Sequence, residues 1–267
     1  MRSIALLNQK GGVGKTTTTA NLGACLAMLG KKVLTIDMDP QANLSVHLGV
    51  DIHSLKHSVY NLIMGECKPE DVILHTTVLG LDIIPANIEL SGAEIELVGI
   101  VGRETVLKEY LGNVLDQYDY VLVDCPPSLG LLTLNVLTFV QELFIPLQTE
   151  FFALQGVSKL LDTYEVVRKR LNHHLEITGI IFCMYTSRAR LCNEVIEKVR
   201  EYPPLGDKAF STIIRKNVKL SESPSHGKPI ISYAPGSHGS EDYLALAKEV
   251  LQQENGKGRS DIRNVCT

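Results

Sequence analysis

Short apolar runs alternate along the chain with longer segments of mixed polarity. Continuous apolar runs of this length are typical of strands buried on both faces, and they occupy residues 3–8, 32–39, 81–85, 120–123, 142–147, 177–185 and 210–214. The segments between them predict helices at about 15–29, 103–117, 154–171, 191–202 and 240–253. This alternation predicts an α/β fold: a doubly wound, mostly parallel sheet with helices on both faces.

The chain of 267 residues is long enough for one large α/β domain or two small ones. No linker divides the pattern, so we expect a single domain over residues 1–254 and a polar, disordered tail over 255–267. In such sheets ligands bind at the carboxyl ends of the strands. The chemistry is therefore expected near Lys10, Asp37, Asp39 and Asp124.

Composition and charge restrict the class of protein. Apolar residues make up 45% and charged residues 21%, the net charge is −4, and none of the six cysteines forms a C-x-x-C pair. The charge argues mildly against a dedicated nucleic-acid module. The cysteines indicate free thiols in a reducing cytosol. No apolar run approaches the ~18 residues of a membrane span, and the first residues do not form a signal peptide, so we expect a cytoplasmic protein.

The stretch "QKGGVGKTT" at residues 9–17 is typical of a phosphate-binding loop, although Gln9 stands where the leading glycine is usual. It follows a predicted strand and opens a predicted helix. Its glycines allow the backbone N–H groups to point at phosphate oxygens. Lys15 is placed to reach the β- and γ-phosphates, the Thr16 hydroxyl to bind Mg²⁺, and Thr17 to contact the α-phosphate.

Two predicted strands end in aspartates, as a phosphoryl-transfer site requires. Asp124 follows "YVLV" and is expected to hold Mg²⁺ through water. Asp39 lies at the edge of the loop, where its carboxylate could orient a water molecule against the γ-phosphate. Asp37 is either part of this site or the cap of a turn. The chain lacks the guanine-binding N-K-x-D motif, which favours ATP over GTP.

Together, "KGGVGKTT", "DMDPQAN" at 37–43 and "DCPPSLGLLTLN" at 124–135 closely resemble the deviant Walker A ATPases of the ParA/Soj partitioning family. The likeness continues through "QTEFFALQG" (148–156), "STIIRKNVKLSESPSHGKPI" (211–230) and "GSEDYLALAKEV" (239–250), so it covers nearly the whole chain. The resemblance implies an ATPase that uses ATP and Mg²⁺, with a nucleotide-binding loop of Lys10, Gly11, Gly12, Val13, Gly14, Lys15, Thr16 and Thr17.

The same resemblance implies an assembly cycle. ATP would drive a sandwich homodimer in which Lys10 reaches the partner's nucleotide, and Asp39 would be the hydrolytic aspartate that also lies near the metal. The ATP-bound dimer would bind double-stranded DNA non-specifically on the nucleoid, and a ParB-type centromere-binding partner would stimulate hydrolysis. From the residues alone, Lys10 is equally a solvated loop lysine. A second cation beside Lys15 is favourable only where further negative charge is present.

A basic segment supports the DNA-binding expectation. Residues 185–220 contain eight basic and four acidic residues, a net charge of +4, which leaves −8 for the rest of the chain. Such a patch binds phosphates without sequence preference. The candidate contacts are Arg188, Arg190, Arg215, Lys216 and Lys219. The alternative is that these residues only solvate exposed helices. Many relatives carry an acidic residue at the position of Thr186 and a proline at the position of Arg215.

Two further expectations remain open. Tyr185 and Asn217 match the family's adenine-side loop and are candidate base contacts. The same phosphate loop also occurs in membrane-positioning ATPases of the MinD kind, which end in an amphipathic helix, and in iron–sulfur ATPases, which need cluster cysteines at the dimer face. Ile262, Val265 and Cys266 do not form an apolar stripe, and only Cys125 lies near the site, so neither alternative is favoured.

Overall fold

The computed structural model describes residues 1–150, 153–187 and 189–264, with residues 153–156 and 255–264 described by their backbone alone. One sheet organises these residues. Its eight strands are β1 Arg2–Leu6, β2 Val33–Asp37, β3 Leu74–His75, β4 Leu81–Ile84, β5 Tyr120–Asp124, β6 Glu142–Gln148, β7 Glu176–Tyr185 and β8 Ala209–Arg215.

The strands are arranged in the order β3-β4-β2-β5-β1-β6-β7-β8. All neighbours pair in parallel except β3 and β4, which are antiparallel. Both faces of the sheet are buried. Successive residues of β1, and Leu7 directly after it, pack alternately into two different apolar clusters. Ile4 and Leu6 belong to one apolar cluster, and Ala5 and Leu7 to the other. The predicted doubly wound, mostly parallel sheet is therefore confirmed.

The helices of the described residues cover both faces of the sheet. They are α1 Lys15–Met28, α2 Asn43–His47, α3 Val59–Ile63, α4 Pro69–Val72, α5 Leu90–Glu96, α6 Val106–Leu111, α7 Leu131–Phe139, α8 Ala153–Arg170, α9 Arg190–Glu201, α10 Val218–Glu222, α11 Ile230–Tyr233 and α12 His238–Asn264. Short 3₁₀ turns lie at Leu97–Gly99, Gly112–Gln117, Gly206–Lys208 and Ser223–His226. None of the helices described is both long and apolar enough to span a bilayer.

The last helix is longer than the sequence pattern predicts. We expected a helix at about 240–253, whereas α12 is His238–Asn264. The boundary between domain and tail after residue 254 stays a prediction. Residues 255–264 contain Gly256 and Gly258 but no proline. Glycine lowers helix propensity by only about 1 kcal/mol and, unlike proline, does not block the helix. Residues 265–267 lie outside the described residues.

Candidate nucleotide site

The glycine-rich loop joins the end of β1 to the start of α1, at the carboxyl edge of the sheet. Gly12 and Gly14 have φ angles of +74° and +97°, a left-handed backbone that other residues rarely adopt. A Cβ at Gly14 would meet only ordinary contacts, 3.6 Å from Cys183 Sγ, so the backbone angle and not the space requires glycine. Gly14 caps α1 without a side chain, which leaves the first N–H groups of that helix for an anion.

A cleft of about 570 Å³ opens over this loop. The predicted binding residues that line it are Gly11, Gly12, Gly14, Lys15, Thr16, Thr17 and Asp39. The Val13 side chain is buried in the core, so only its backbone can serve a ligand. The cleft is also lined by residues that were not predicted as binding residues, namely Gln41, Asn43, Val46, His47, Pro127, Met184, Pro224 and Ser225.

Thr16 and Asp124 meet beneath the cleft. The Thr16 hydroxyl donates a hydrogen bond of 2.6 Å to Oδ2 of Asp124. Asp124 is fully buried, and its other oxygen, Oδ1, has no hydrogen-bond partner among the described residues. Burial and the neighbouring charge of Asp37 raise the pKa of Asp124 well above its usual value. A buried carboxylate oxygen without a donor, next to a hydroxyl, fits a hard divalent cation such as Mg²⁺.

The described residues offer few protein ligands for a magnesium shell beyond Thr16 and Asp124. Within the described ranges, no group of three or more His, Cys, Asp or Glu side chains is placed to hold a metal ion. Mg²⁺ at nucleotide sites is usually held by one or two protein groups, nucleotide phosphates and water. Thr16 and Asp124 suit that role, and Asp39 on the cleft wall lies at the same edge.

Asp37 is committed to the fold of the loop that carries Asp39. Its carboxylate accepts hydrogen bonds from the Ser45 N–H at 2.9 Å, the Ser45 hydroxyl at 2.7 Å and the Asp39 N–H at 3.2 Å. Burial raises its pKa to about 6, although these hydrogen bonds oppose the shift. Asp37 was expected either to belong to the phosphoryl-transfer site or to cap a turn. These contacts are those of a turn cap.

Asp39 is half-buried and faces the cleft. Its Oδ1 accepts a hydrogen bond of 3.0 Å from the Gln41 N–H, which fixes the carboxylate at the mouth of the cleft. A carboxylate held there by its own backbone is oriented before a ligand arrives.

Lys10 points away from the cleft. Its Nζ lies 2.7 Å from Oε2 of Glu150 and 3.2 Å from Oε1 of Gln148, and its side chain is exposed. The lining of the cleft includes Lys15 but not Lys10. Within one subunit, therefore, the two lysines of the loop have different surroundings, and only Lys15 faces the phosphate position.

Two smaller cavities lie on the side expected for the base, the first sharing Gly14 and Thr17 with the cleft and the second adjoining the first at Asn217. One, of about 190 Å³, is lined by Gly14, Thr17 and Asn217. The other, of about 450 Å³, is lined by Tyr185 and Asn217. Asn217 Oδ1 accepts a hydrogen bond of 2.8 Å from the Lys219 N–H and so caps α10. The Tyr185 hydroxyl donates to Asn193 Oδ1 at 3.0 Å. Asn217 therefore lines the cavity that adjoins the cleft, whereas Tyr185 lines only the cavity farther from it.

Several residues on this side of the cleft were not predicted as binding residues. Met184, with a φ of +58°, lines both the cleft and the 190 Å³ cavity. Pro224 and Ser225 follow Ser223, whose hydroxyl is 3.3 Å from His47 Nε2. The motif "LSESPSHGKPI" contains this turn, but nothing in its spacing indicates that it meets α2.

The basic segment carries less free charge than its composition suggests. Arg215 contacts Asp242 at 2.6 Å and Glu241 at 3.0 Å, Lys219 contacts Glu222 at 2.8 Å, and Arg190 contacts Glu194 at 3.2 Å. Lys216 is exposed and forms no ion pair with any described residue. Arg188 lies outside the described residues. Lys216 is the candidate whose charge is most available to a phosphate.

The five cysteines within the described residues do not form a second site. Cys25, Cys125, Cys183 and Cys192 are buried, Cys67 is half-buried, and all five are free thiols. Burial raises the pKa of Cys125 well above its usual value. Cys266 lies outside the described residues.

Comparison with known proteins extends these observations. A family model described as an AAA domain matches residues 1–177. The chain is 52% identical over 247 residues to the sporulation initiation inhibitor protein Soj of Bacillus subtilis, covering 92% of this chain and 97% of that protein. It is 49% identical over 253 residues to the chromosome-partitioning ATPase Soj of Treponema pallidum, covering 95% and 98%.

A solved structure shows what this fold holds in a similar protein. Cobyrinic acid a,c-diamide synthase from Mycobacterium smegmatis, with a bound ATP analogue and magnesium, is 35% identical to this chain. The two superpose with a TM-score of 0.84 over 96% of each chain. ATP and Mg²⁺ are therefore the cofactors that fit this site.

Proposed function

The chain belongs to the Soj/ParA family of chromosome-partitioning ATPases, and on that premise we propose that it is an ATP-dependent DNA-partitioning ATPase. Its Mg-ATP state is a homodimer that binds DNA non-specifically, and hydrolysis to ADP and phosphate releases it. The observation that carries the proposal is the pairing of Thr16 with Asp124, whose buried Oδ1 has no partner among the described residues, beneath a glycine-rich cleft.

Nucleotide binding uses the loop and the start of α1. Backbone N–H groups from Gly11 to Thr17 and the positive end of the α1 dipole face the phosphates. The buried Lys15 neutralises the β- and γ-phosphates, while Tyr185 and Asn217 border the base. Thr16 and Asp124 would hold Mg²⁺, which would supply charge neutralisation at the β- and γ-phosphates.

Hydrolysis requires an oriented water molecule. Asp39 lies at the cleft, where its carboxylate accepts a hydrogen bond from water and directs the oxygen at the γ-phosphorus. The new P–O bond forms as the bond to the β,γ-bridging oxygen breaks, so ADP leaves with that electron pair. The proton of the attacking water passes to Asp39 or to a phosphate oxygen.

Dimerisation follows from the surplus lysine. Lys15 already serves the phosphates within one subunit, and Lys10 points outward to Glu150. When two clefts face each other, the triphosphate of the partner offers Lys10 more negative charge than Glu150 does. ATP is then part of the interface, and ADP holds the dimer less tightly because it lacks the γ-phosphate.

The proposed partners are duplex DNA and a ParB-type centromere-binding protein that stimulates hydrolysis, with the ATPase located on the nucleoid in the cytoplasm. Exposed basic residues such as Lys216 supply sequence-independent contacts. The MinD-like, membrane-positioning alternative receives less support because relatives that share about half of their residues with this chain are named as Soj proteins. An iron–sulfur role receives none from Cys125, which is fully buried.

The test is size-exclusion chromatography with light scattering on Asp39→Ala and on the wild-type chain. With Mg-ATP the variant should elute as a dimer that persists, and duplex DNA at low salt should co-elute with it. With ADP both proteins should be monomers. A variant that hydrolyses ATP at the wild-type rate would contradict the role of Asp39, and an ATP dimer without affinity for DNA would contradict the partitioning function.

A further inference from the structure

The segment from residue 88 to 101 exposes five large apolar side chains. Ile88, Ile95, Val98 and Val101, exposed to 65%, 79%, 58% and 99%, form what we call the 88–101 face, and Ile100 beside them is exposed to 40%. Ile88 and Ile95 are seven residues apart and Val98 is three further on, so these three lie on one side of α5 and the turn that follows it. The opposite side of α5 packs Leu90, Ala93 and Leu97 into the core. The segment therefore carries apolar side chains on both sides, one toward the core and one toward solvent.

The segment that carries this face has an excess of acidic residues, of which Glu89, Glu96 and Glu109 are exposed. Residues 88–109 contain five glutamates and only two basic residues, a net charge of −3. One of the basic residues, Arg103, is held by Glu104 at 3.1 Å and by the Val98 carbonyl at 2.8 Å. Exposed apolar residues with a charged rim are typical of an interaction surface, and the sign of the rim selects the charge of what binds.

The 88–101 face is connected to the nucleotide site. Glu94, in α5, lies against the backbone of Gly130, where a Cβ would overlap its carboxylate. Gly130 caps α7 and ends the segment that begins at Asp124. The Glu94 Oε1 is buried without a hydrogen-bond partner among the residues described. Whatever moves α5 therefore moves a carboxylate that touches the loop after the metal-binding aspartate.

We propose that the 88–101 face binds a partner protein through an amphipathic segment with one apolar side and flanking Lys or Arg residues. The apolar side covers Ile88, Ile95, Val98 and Val101, and the basic residues meet the glutamates. A second copy of this chain fits poorly, because a two-fold contact through this face brings the same acidic rim against itself. DNA and anionic lipid are negatively charged and would be repelled by the glutamates of this segment. The inference rests on the proposed function, since the partner that stimulates hydrolysis is the protein expected to bind here.

The experiment measures ATP hydrolysis in the presence of duplex DNA while the purified ParB-type protein of the same organism is titrated. The test variant is Ile95→Asp with Val98→Asp. The control is Leu79→Asp, which makes the same kind of apolar-to-acidic change, with one added charge instead of two, at a residue exposed to 95% in the turn between β3 and β4. Basal hydrolysis should be unchanged in both proteins. The partner concentration for half-maximal stimulation should rise about tenfold or more in the double variant, as for the loss of an interface anchor, and stay within about twofold in the control. Glu89→Lys should weaken stimulation in the same direction.

The possible results distinguish the proposed function of the protein from the proposed role of the 88–101 face. A wild-type chain that the ParB-type protein does not stimulate would overturn the proposed function. A double variant stimulated as well as wild type would overturn only the role of the 88–101 face. A double variant that loses its ATP-dependent dimer in light scattering would assign the face to a second copy and would also overturn the inference.

Discussion

Nζ of Lys10 forms an ion pair with Oε2 of Glu150 at 2.7 Å, although 140 residues separate the two along the chain. In a dimer in which Lys10 contacts the nucleotide of the partner subunit, this pair is broken. Glu150→Gln removes the competing charge, so the ATP-dependent dimer should form more readily. Exposed pairs contribute roughly 0.2–1 kcal/mol each, and a symmetric dimer breaks two of them, so the dimer dissociation constant should be about 2- to 30-fold lower. Sedimentation with a slowly hydrolysed ATP analogue measures it, and a weaker dimer would contradict the idea.

The two lysines of the loop should have separable effects. Lys15→Ala removes a charge-assisted hydrogen bond to the phosphates inside the cleft, so ATP affinity should fall about 10- to 100-fold. Lys10→Ala should leave ATP affinity of the monomer within about twofold, because Lys10 does not line that cleft, but should abolish the dimer and hydrolysis. Calorimetry and turnover assays on the same preparations provide the comparison. Normal turnover in Lys10→Ala would exclude a role in the partner's site.

Asp124 should be needed for magnesium and not for folding. Asp124→Asn keeps an acceptor for the Thr16 hydroxyl and removes a buried negative charge whose Oδ1 is unpaired within the described structure. The apo variant should therefore unfold at an equal or higher temperature than wild type, while its affinity for Mg-ATP falls at least about tenfold. ATP affinity measured with EDTA should not change. Equal Mg-ATP affinity would remove Asp124 from the metal site.

All seven strands predicted from the sequence are present because each is an apolar run long enough to be buried on both faces. β3 was missed, since Leu74 and His75 form only two residues and one of them is exposed. Helices such as α2, α3 and α4 were missed for a related reason. Four or five residues are too few to establish a 3.6-residue period, and these helices are held by contacts such as Asp37 with Ser45.

The candidate site also contains features that the sequence predicts and features that it does not. The phosphate loop and Asp124 can be predicted because each is defined by a short contiguous stretch of sequence, a glycine-rich motif in one case and an aspartate after an apolar strand in the other. The surroundings of Lys10 and Arg215 cannot be predicted, because Glu150 and Asp242 come from distant parts of the chain. Counting charge within residues 185–220 therefore overestimates the free positive charge, since two of the neutralising carboxylates, Glu241 and Asp242, lie in α12.

Lys216 and Arg215 should differ in their effect on DNA binding. Lys216 is exposed, so Lys216→Ala should weaken binding to any duplex and lower the slope of log affinity against log salt by about 1. Arg215→Ala should leave that slope nearly unchanged, because Asp242 and Glu241 already engage the guanidinium, and should instead lower thermal stability. Fluorescence anisotropy across a salt series tests both variants, and equal slope changes would contradict the distinction.

His47 should make folding sensitive to mild acid. It is buried beside Ser223, and burial lowers its pKa to about 4 from an ordinary value of 6.5. Between these values the unfolded chain binds a proton that the folded chain does not. Stability from this group is therefore complete above about pH 6.5 and is lost as the pH falls toward 4. From pH 7.5 to pH 5 the loss is about 2 kcal/mol.

Urea denaturation at pH 7.5, 6 and 5 measures this effect in wild type and in His47→Gln, which retains an amide that can bond to Ser223. The variant should lose about 2 kcal/mol less than wild type over that range. Asp37, whose pKa is raised to about 6, acts with the opposite sign, but it is present in both proteins and cancels in the difference. His174→Gln, at an exposed histidine, is the matched control and should follow wild type. If His47→Gln and wild type lose stability in parallel, His47 is not the group that titrates.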